Sequence, residues 1–221
     1  VIQTETESAA GQGGFGALMG AKRLKAIAVS GSGAVKVANP HLLLQYAKAI
    51  RDELRAGSIF AQSVNLDPEK VSKYRERWYA CTQQCGVTCV SSRHYSNVPG
   101  PITGKLRSGN MHCTAPGFEG RGKESFYNWQ LGFEAGFDLA SMANDFGINH
   151  WEIHFGIIPW LRCCQKNNIR SKIDGLDIDI NNPSFWAQLL KKIAYREGIG
   201  AVLAEGGHRA AKILGWGKEY I

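Results

Sequence analysis

The chain has 221 residues, a net charge of +7 and 44% hydrophobic residues, enough to bury one large core or two small ones. No run of about eighteen apolar residues occurs, which leaves no candidate for a membrane-spanning helix. Its lysines and arginines are scattered without an interleaved aromatic stripe, so nucleic acid is not an expected partner. The charge reads first as a surface average and second as a weak attraction for phosphates of a cofactor or nucleotide-bearing substrate. Six cysteines, two of them adjacent at Cys163 and Cys164, are too sparse for a secreted disulfide scaffold and point to a reducing, cytoplasmic compartment. The opening Val1 to Glu7 lacks the basic and apolar regions of a signal peptide, and no initiator Met precedes it. The chain therefore reads as the interior of a longer polypeptide.

Residues 11–16 form a glycine-rich turn, followed by a short helix-compatible stretch and a strand-like Ala26 to Ser30. Without side chains at Gly11, Gly13, Gly14 and Gly16, the backbone can approach a ligand closely and aim N–H groups at phosphate oxygens. A plain tight turn is the alternative, and no strong strand precedes it as a dinucleotide fold requires. From Pro40, Leu42, Leu43, Leu44, Tyr46, Ala47 and Ile50 predict an amphipathic helix capped by Asn39. Ser91 to Gly122 reads mostly as loop, with turns at Pro99-Gly100-Pro101 and Ala115-Pro116-Gly117. Helical periodicity resumes over 125–146 and stops at Gly147. Another helix follows Pro183, with Phe185, Trp186, Leu189, Leu190, Ile193 and Ala194 on one face, and ends near Gly198. A last one spans Ala201 to Leu214. The fold class is mainly α, α+β overall, with a β remnant at the start.

Cys81, Cys85 and Cys89 fall within nine residues. On a straight helix the outer two would lie about 12 Å apart at about 1.5 Å per residue. Gly86 and the preceding Gln83 and Gln84 allow the backbone to curl, gathering the thiolates around an iron–sulfur cluster with a fourth ligand elsewhere. A disulfide-forming group or a trio of buried thiols is the alternative.

Four segments in order resemble the aldehyde:ferredoxin oxidoreductase family of tungsten enzymes. Gly11 to Lys25 resembles its R-G-G-x-G-A-V-M-G-S-K-x-L-K-A segment, and Ala80 to Cys89 its A-C-x-x-C-P-x-x-C. Asn144-Asp145-Phe146-Gly147-Ile148-Asn149 is similar to its pterin-contacting N/D-x-x-G-L-D, and Leu190 to Gly215 follows the family over more than twenty positions. The resemblance implies a subunit roughly three times this length. Residues 1–37 would end an N-terminal β-rich pterin-binding domain, 38–221 would form the helical middle domain, and a later domain would lie outside this chain.

What the resemblance implies for cofactors is tungsten held by two molybdopterins, Mg2+ bridging the pterin phosphates, and a 4Fe–4S cluster on Cys81, Cys85 and Cys89. Gln12, Gly13, Gly14, Asn144, Gly147, Ile148 and Asn149 would bind pterin. Three departures stand out: three residues rather than two separate Cys81 from Cys85, Gln12 replaces an Arg, and Asn144 and Asn149 replace carboxylates. An amide still offers donor and acceptor, without charge.

His150-Trp151-Glu152-Ile153-His154 follows the pterin-like segment. Extended, all three polar side chains would share one side; on a helix only the two histidines would. Either way they suit general acid/base work, as does Glu119, which matches a family carboxylate after the cysteines. A solvated Glu and histidines satisfied by main-chain carbonyls are the plain alternatives, and His112 and Cys113 lie just upstream. Glu205 and His208 read as surface positions. The implied reaction is two-electron chemistry on an aldehyde or an aromatic acyl-CoA, with electrons leaving to ferredoxin or an iron–sulfur subunit. The cysteine spacing, the histidines and an aromatic surround from Phe146, Trp151, Phe155 and Trp160 lean toward ring reduction of the benzoyl-CoA type. An oligomer is expected. A non-catalytic electron relay that has lost the pterin is the reading from another class.

Overall fold

In the computed structural model, residues 1–5, 7–57, 68–79, 93–111, 113–120 and 128–221 are described. Helices α1 (Phe15–Ala21), α2 (Pro40–Gly57) and α3 (Pro68–Tyr74) precede α4 (Phe133–Asp145), α5 (Ile158–Lys166), α6 (Pro183–Tyr195), α7 (Ile199–Leu203) and α8 (Gly207–Leu214). The strands are short antiparallel pairs: β1 (Ile2–Gln3) with β2 (Ala9–Ala10), β3 (Arg77–Trp78) with β4 (Arg93–Pro99) and β5 (Leu106–Met111), and β6 (Lys172–Ile173) with β7 (Leu176–Asp177). The chain is mainly α with some β, as its sequence predicts.

The core forms where α4, α6 and the segment around α5 meet. Asn182 caps α6 by accepting the Ser184 N–H at 2.9 Å, and Pro183 occupies the first helical position, where no N–H partner is needed. From there Phe185, Trp186, Leu189, Leu190 and Ile193 recur on one face and are buried. Each such side chain contributes about 1.5–3 kcal/mol when fully removed from water. The indoles of Trp129, Trp160 and Trp186 donate to Gly117 O, Gly217 O and Ile180 O at 2.8, 2.9 and 2.9 Å, so none buries an unmet donor.

Two polar anchors attach the β4–β5 hairpin to α4 and to the segment between α3 and β3. Asp138 of α4, fully buried, accepts from Ile102 N at 3.0 Å, Thr103 N at 2.9 Å, Thr103 Oγ1 at 2.8 Å and Arg107 Nε at 3.3 Å. At the other end Glu76 pairs with Arg93 at 3.1 Å, with their side chains 2% and 4% exposed, and accepts the Tyr95 hydroxyl at 3.0 Å. The Arg93 guanidinium lies 3.6 Å from the Trp78 ring centroid, so a buried charge is matched on several sides.

Several boundaries differ from those the sequence predicts. Residues 91–122, expected as loop, contain β4, β5 and a 3-10 turn at Ala115–Phe118. Ladder hydrogen bonds and Asp138 order this stretch, and its many turn residues concealed them. Ala26 to Ser30 is not a strand but exposed coil; β-propensity without a ladder partner does not make one. The helix expected over 125–146 begins at Phe133. The helix expected over Ala201 to Leu214 is two, because the chain breaks at Glu205–Gly206 and the Gly207 N–H turns to Glu152 Oε1 at 2.6 Å. α2 starts at Pro40 under Asn39, whose Oδ1 accepts the Leu42 N–H at 3.0 Å, as expected.

Candidate functional site

Where α4 ends, Gly147 adopts φ 65°, a conformation that costs glycine little. Its N–H donates to Asn144 O at 2.9 Å, and Ile148 N–H reaches back to Ala143 O at 2.9 Å, closing the last turn and swinging Ile148 and Asn149 away from the helix axis. Asn149 then caps the next helix, its Oδ1 accepting the Trp151 N–H at 3.1 Å. Opposite lies the glycine-rich turn, where Gly13 and Gly14 are also left-handed, at φ 79° and 72°. A Cβ on Gly14 would meet nothing within 4 Å, so its main chain is open to a ligand, while one on Gly13 would press on the Phe15 ring at 2.9 Å. The Val1 nitrogen donates to Gly147 O at 2.9 Å while the Val1 main chain lies against Gly16, so Val1 bridges the two segments.

Between them are two adjoining cavities. The first, about 410 Å³, is lined among others by Glu7, Gln12, Asn110, Asn144, Asn149 and His150. The second, about 440 Å³, is lined among others by Gly13, Gly14, Gly147, Glu152, Arg196 and Gly206. Ile148 and Asn149 border both. Glycine-rich main chain and the four amides Gln12, Asn110, Asn144 and Asn149 offer what a pterin ring with its phosphate arm would need: close backbone approach and paired donors and acceptors.

The His150 to His154 segment is helical, passing into a π-helical turn at Glu152–Ile157, and the two histidines share a face. Their ring centroids are 6.3 Å apart, and both stand edge-on to Phe118, at 5.1 and 4.3 Å. Yet their settings differ. His150 lines the first cavity, whereas His154 is fully buried beneath Trp129 and Trp186. Burial first, and the neighbouring His150 charge second, hold the His154 pKa well below the usual histidine value, so it is neutral at pH 7. Glu152 is on the other side, bonded to the start of α8 and facing the second cavity. Glu119 lies 3.8 Å from Lys70 and borders neither cavity. Among the aromatics, Trp160 is core, stacked on Trp216 at 4.6 Å, while Trp151 and Phe155 stack at 4.8 Å and are exposed. His208 is exposed; Glu205, also exposed, pairs with Arg196.

Cys81, Cys85, Cys89 and His112 lie outside the described residues. Among the described residues no group of three His, Cys, Asp or Glu could hold a metal ion, and no helix is long and apolar enough to cross a membrane. Two polar residues lining the first cavity, Glu7 and Asn110, carry no sequence signal. Glu7 and Asn110 meet across 103 positions, a contact that no local spacing encodes.

These cavities, set between a glycine-rich turn and a helix stop, fit a family assignment made on independent grounds. Residues 34–221 match the model for aldehyde ferredoxin oxidoreductase, domains 2 & 3, and the chain belongs to that family. It is similar to a tungsten-containing aldehyde ferredoxin oxidoreductase of Pyrococcus furiosus, 26% identical over 97% of this chain and 39% of the relative. The corresponding protein of Pyrococcus horikoshii is 28% identical over 100% of this chain and 40% of its own length. A second Pyrococcus furiosus protein, an aliphatic sulfonate oxidoreductase, WOR-like subunit, is 26% identical over 95% of this chain and 37% of the relative. The chain thus spans about two fifths of the length of the curated relatives it matches.

Proposed function

We propose that the full-length protein is a tungstopterin oxidoreductase that oxidises an aldehyde to a carboxylic acid and passes the electrons singly to a ferredoxin or an iron–sulfur subunit. One observation carries this reading: the two segments that resemble pterin-binding motifs, more than a hundred residues apart in the chain, line the same pair of cavities. Family membership and the similarity to tungsten-containing aldehyde ferredoxin oxidoreductases support it.

In this reading Gln12, Asn144 and Asn149 hydrogen-bond the pterin ring, and the main chain at Gly13, Gly14, Gly147 and Ile148 cradles it. When bound, the tungsten group supplies the two-electron step. Cys81, Cys85 and Cys89 would hold a 4Fe–4S cluster, and Mg2+ would accompany the pterin phosphates. His150, at the cavity wall, moves protons to and from the substrate. Glu152 and His154 hold the surrounding helices in place, and Glu119 fixes α3 through Lys70. Residues 1–37 close an N-terminal pterin-binding domain, and 38–221 form the middle domain.

Metal analysis of the anaerobically purified full-length protein should give tungsten with about four irons. Iron alone would leave an electron relay. Turnover with aldehydes should then exceed that with an aliphatic sulfonate and with benzoyl-CoA. Preference for benzoyl-CoA would instead assign ring reduction, toward which the cysteine spacing and His150 lean.

A further inference from the structure

Glu7 is the only carboxylate among the described residues lining the first cavity. Its backbone is set with care. The β1–β2 hairpin closes through Thr4 N–H to Ser8 O at 2.9 Å and Glu7 N–H to Thr4 O at 3.0 Å, and Glu7 itself takes φ 62°, in the left-handed region that non-glycine residues adopt uncommonly. The side chain then crosses to β5, where the Asn110 N–H donates to Glu7 Oε2. Gly109 makes room for it: a Cβ there would collide with the Glu7 carboxylate.

We propose that Glu7 is a proton-exchanging catalytic residue of the first cavity, whose lining it shares with His150. This inference rests on the tungstopterin reading and adds a residue to it. Such a site needs a group that can hold a proton near neutral pH, and the Asn110 main-chain N–H and side chain fix the carboxyl in place at the cavity wall. When substrate is protonated, the carboxyl O–H bond breaks, a new bond from that proton to the substrate forms, and Glu7 becomes a carboxylate. In the opposite direction the carboxylate accepts a proton from substrate or water. Glu7 gains and loses no electrons, and solvent restores its proton.

Its surroundings are consistent with that role. Burial raises the Glu7 pKa above the ordinary carboxylate value, more than the Asn110 main-chain N–H, the His94 charge and the Asn110 side chain lower it, and Asp145 raises it further. The groups facing it are His94 on β4, whose Nδ1 lies 2.8 Å from Asn110 Oδ1, and Asp145 at the end of α4, paired with Arg107 of β5 at 2.9 Å. His150 and Cys113 border the same cavity.

The test uses the full-length, tungsten-loaded enzyme and its Glu7→Gln and Gly109→Ala variants. Glu7→Gln should lower kcat by about 10²-fold or more, leave KM within about twofold, and remove one ionisation from the pH profile of kcat/KM. Gly109→Ala, which displaces the carboxylate while keeping it, should show a smaller loss in the same direction. Independently of turnover, infrared difference spectra should show a carboxyl band titrating above about pH 4.5 that Glu7→Gln abolishes. Unchanged rate, pH profile and spectrum in Glu7→Gln with full tungsten content would overturn this inference alone. Absence of tungsten from the wild-type protein would overturn the reading of the site and this inference with it.

Discussion

Helices α2 and α6 begin alike and end in different circumstances. Each opens with Asn-Pro, each is capped by that asparagine, and each carries a row of large apolar residues. On α6, Trp186 and Leu189 are 0% and 1% exposed. On α2, Leu42, Leu43 and Leu44 are 42%, 53% and 69% exposed. Local pattern and caps are therefore enough to specify a helix, whereas burial depends on what the rest of the chain brings against it.

The largest expected effect tests that contrast directly. In the full-length protein Trp186→Ala should lower unfolding free energy by about 3–5 kcal/mol, because it empties a packed site and strips Ile180 O of its donor. Leu43→Ala should stay within about 0.5 kcal/mol. Denaturant titration of both variants settles it, and a comparable loss in Leu43→Ala would show that α2 is covered by a segment outside the described residues.

Asp138→Ala should follow, at about 3 kcal/mol, since it removes the acceptor of two partly buried main-chain N–H groups and leaves Arg107 with Asp145 as its one remaining carboxylate partner among the described residues. The hairpin turn should loosen first. Faster amide exchange at Ile102 and Thr103 than at Trp186 would confirm that the anchor acts locally; uniform loosening would argue against it.

The smallest effect concerns pH. His154 has a folded pKa well below its unfolded value of about 6.5, so the unfolded chain binds more protons between those two values. The stability this residue contributes is complete above about pH 6.5 and is lost as pH falls through the folded value. Thermal stability should therefore fall on acidification, and His154→Phe, which keeps an aromatic ring beside Phe118, should flatten that slope. An unchanged slope would place the sensitivity elsewhere.

Much of the site was legible because its two halves are local. Gly13 and Gly14, and the stop at Gly147, are recognisable from residue type, since few other residues adopt those backbone angles cheaply. The shared face of His150 and His154 follows from helical spacing. What spacing could not give is their separation into a cavity-lining and a buried ring, which arises only when Phe118, Trp129 and Trp186 pack around one of them. The β4–β5 hairpin was hidden for a related reason: its order comes from ladder partners and from Asp138, more than thirty positions away, rather than from its own Gly- and Pro-rich residues.

The sequence by itself determined the helix starts at Asn39 and Asn182, the glycine turns and the order of the family motifs, because these depend on backbone preferences and contacts within a few residues. The tertiary structure alone decided which apolar faces are buried, that Glu7 reaches Asn110, and that the glycine-rich turn faces the end of α4. Those outcomes are contacts between distant segments, whose energies are realised only once the whole chain has closed around them.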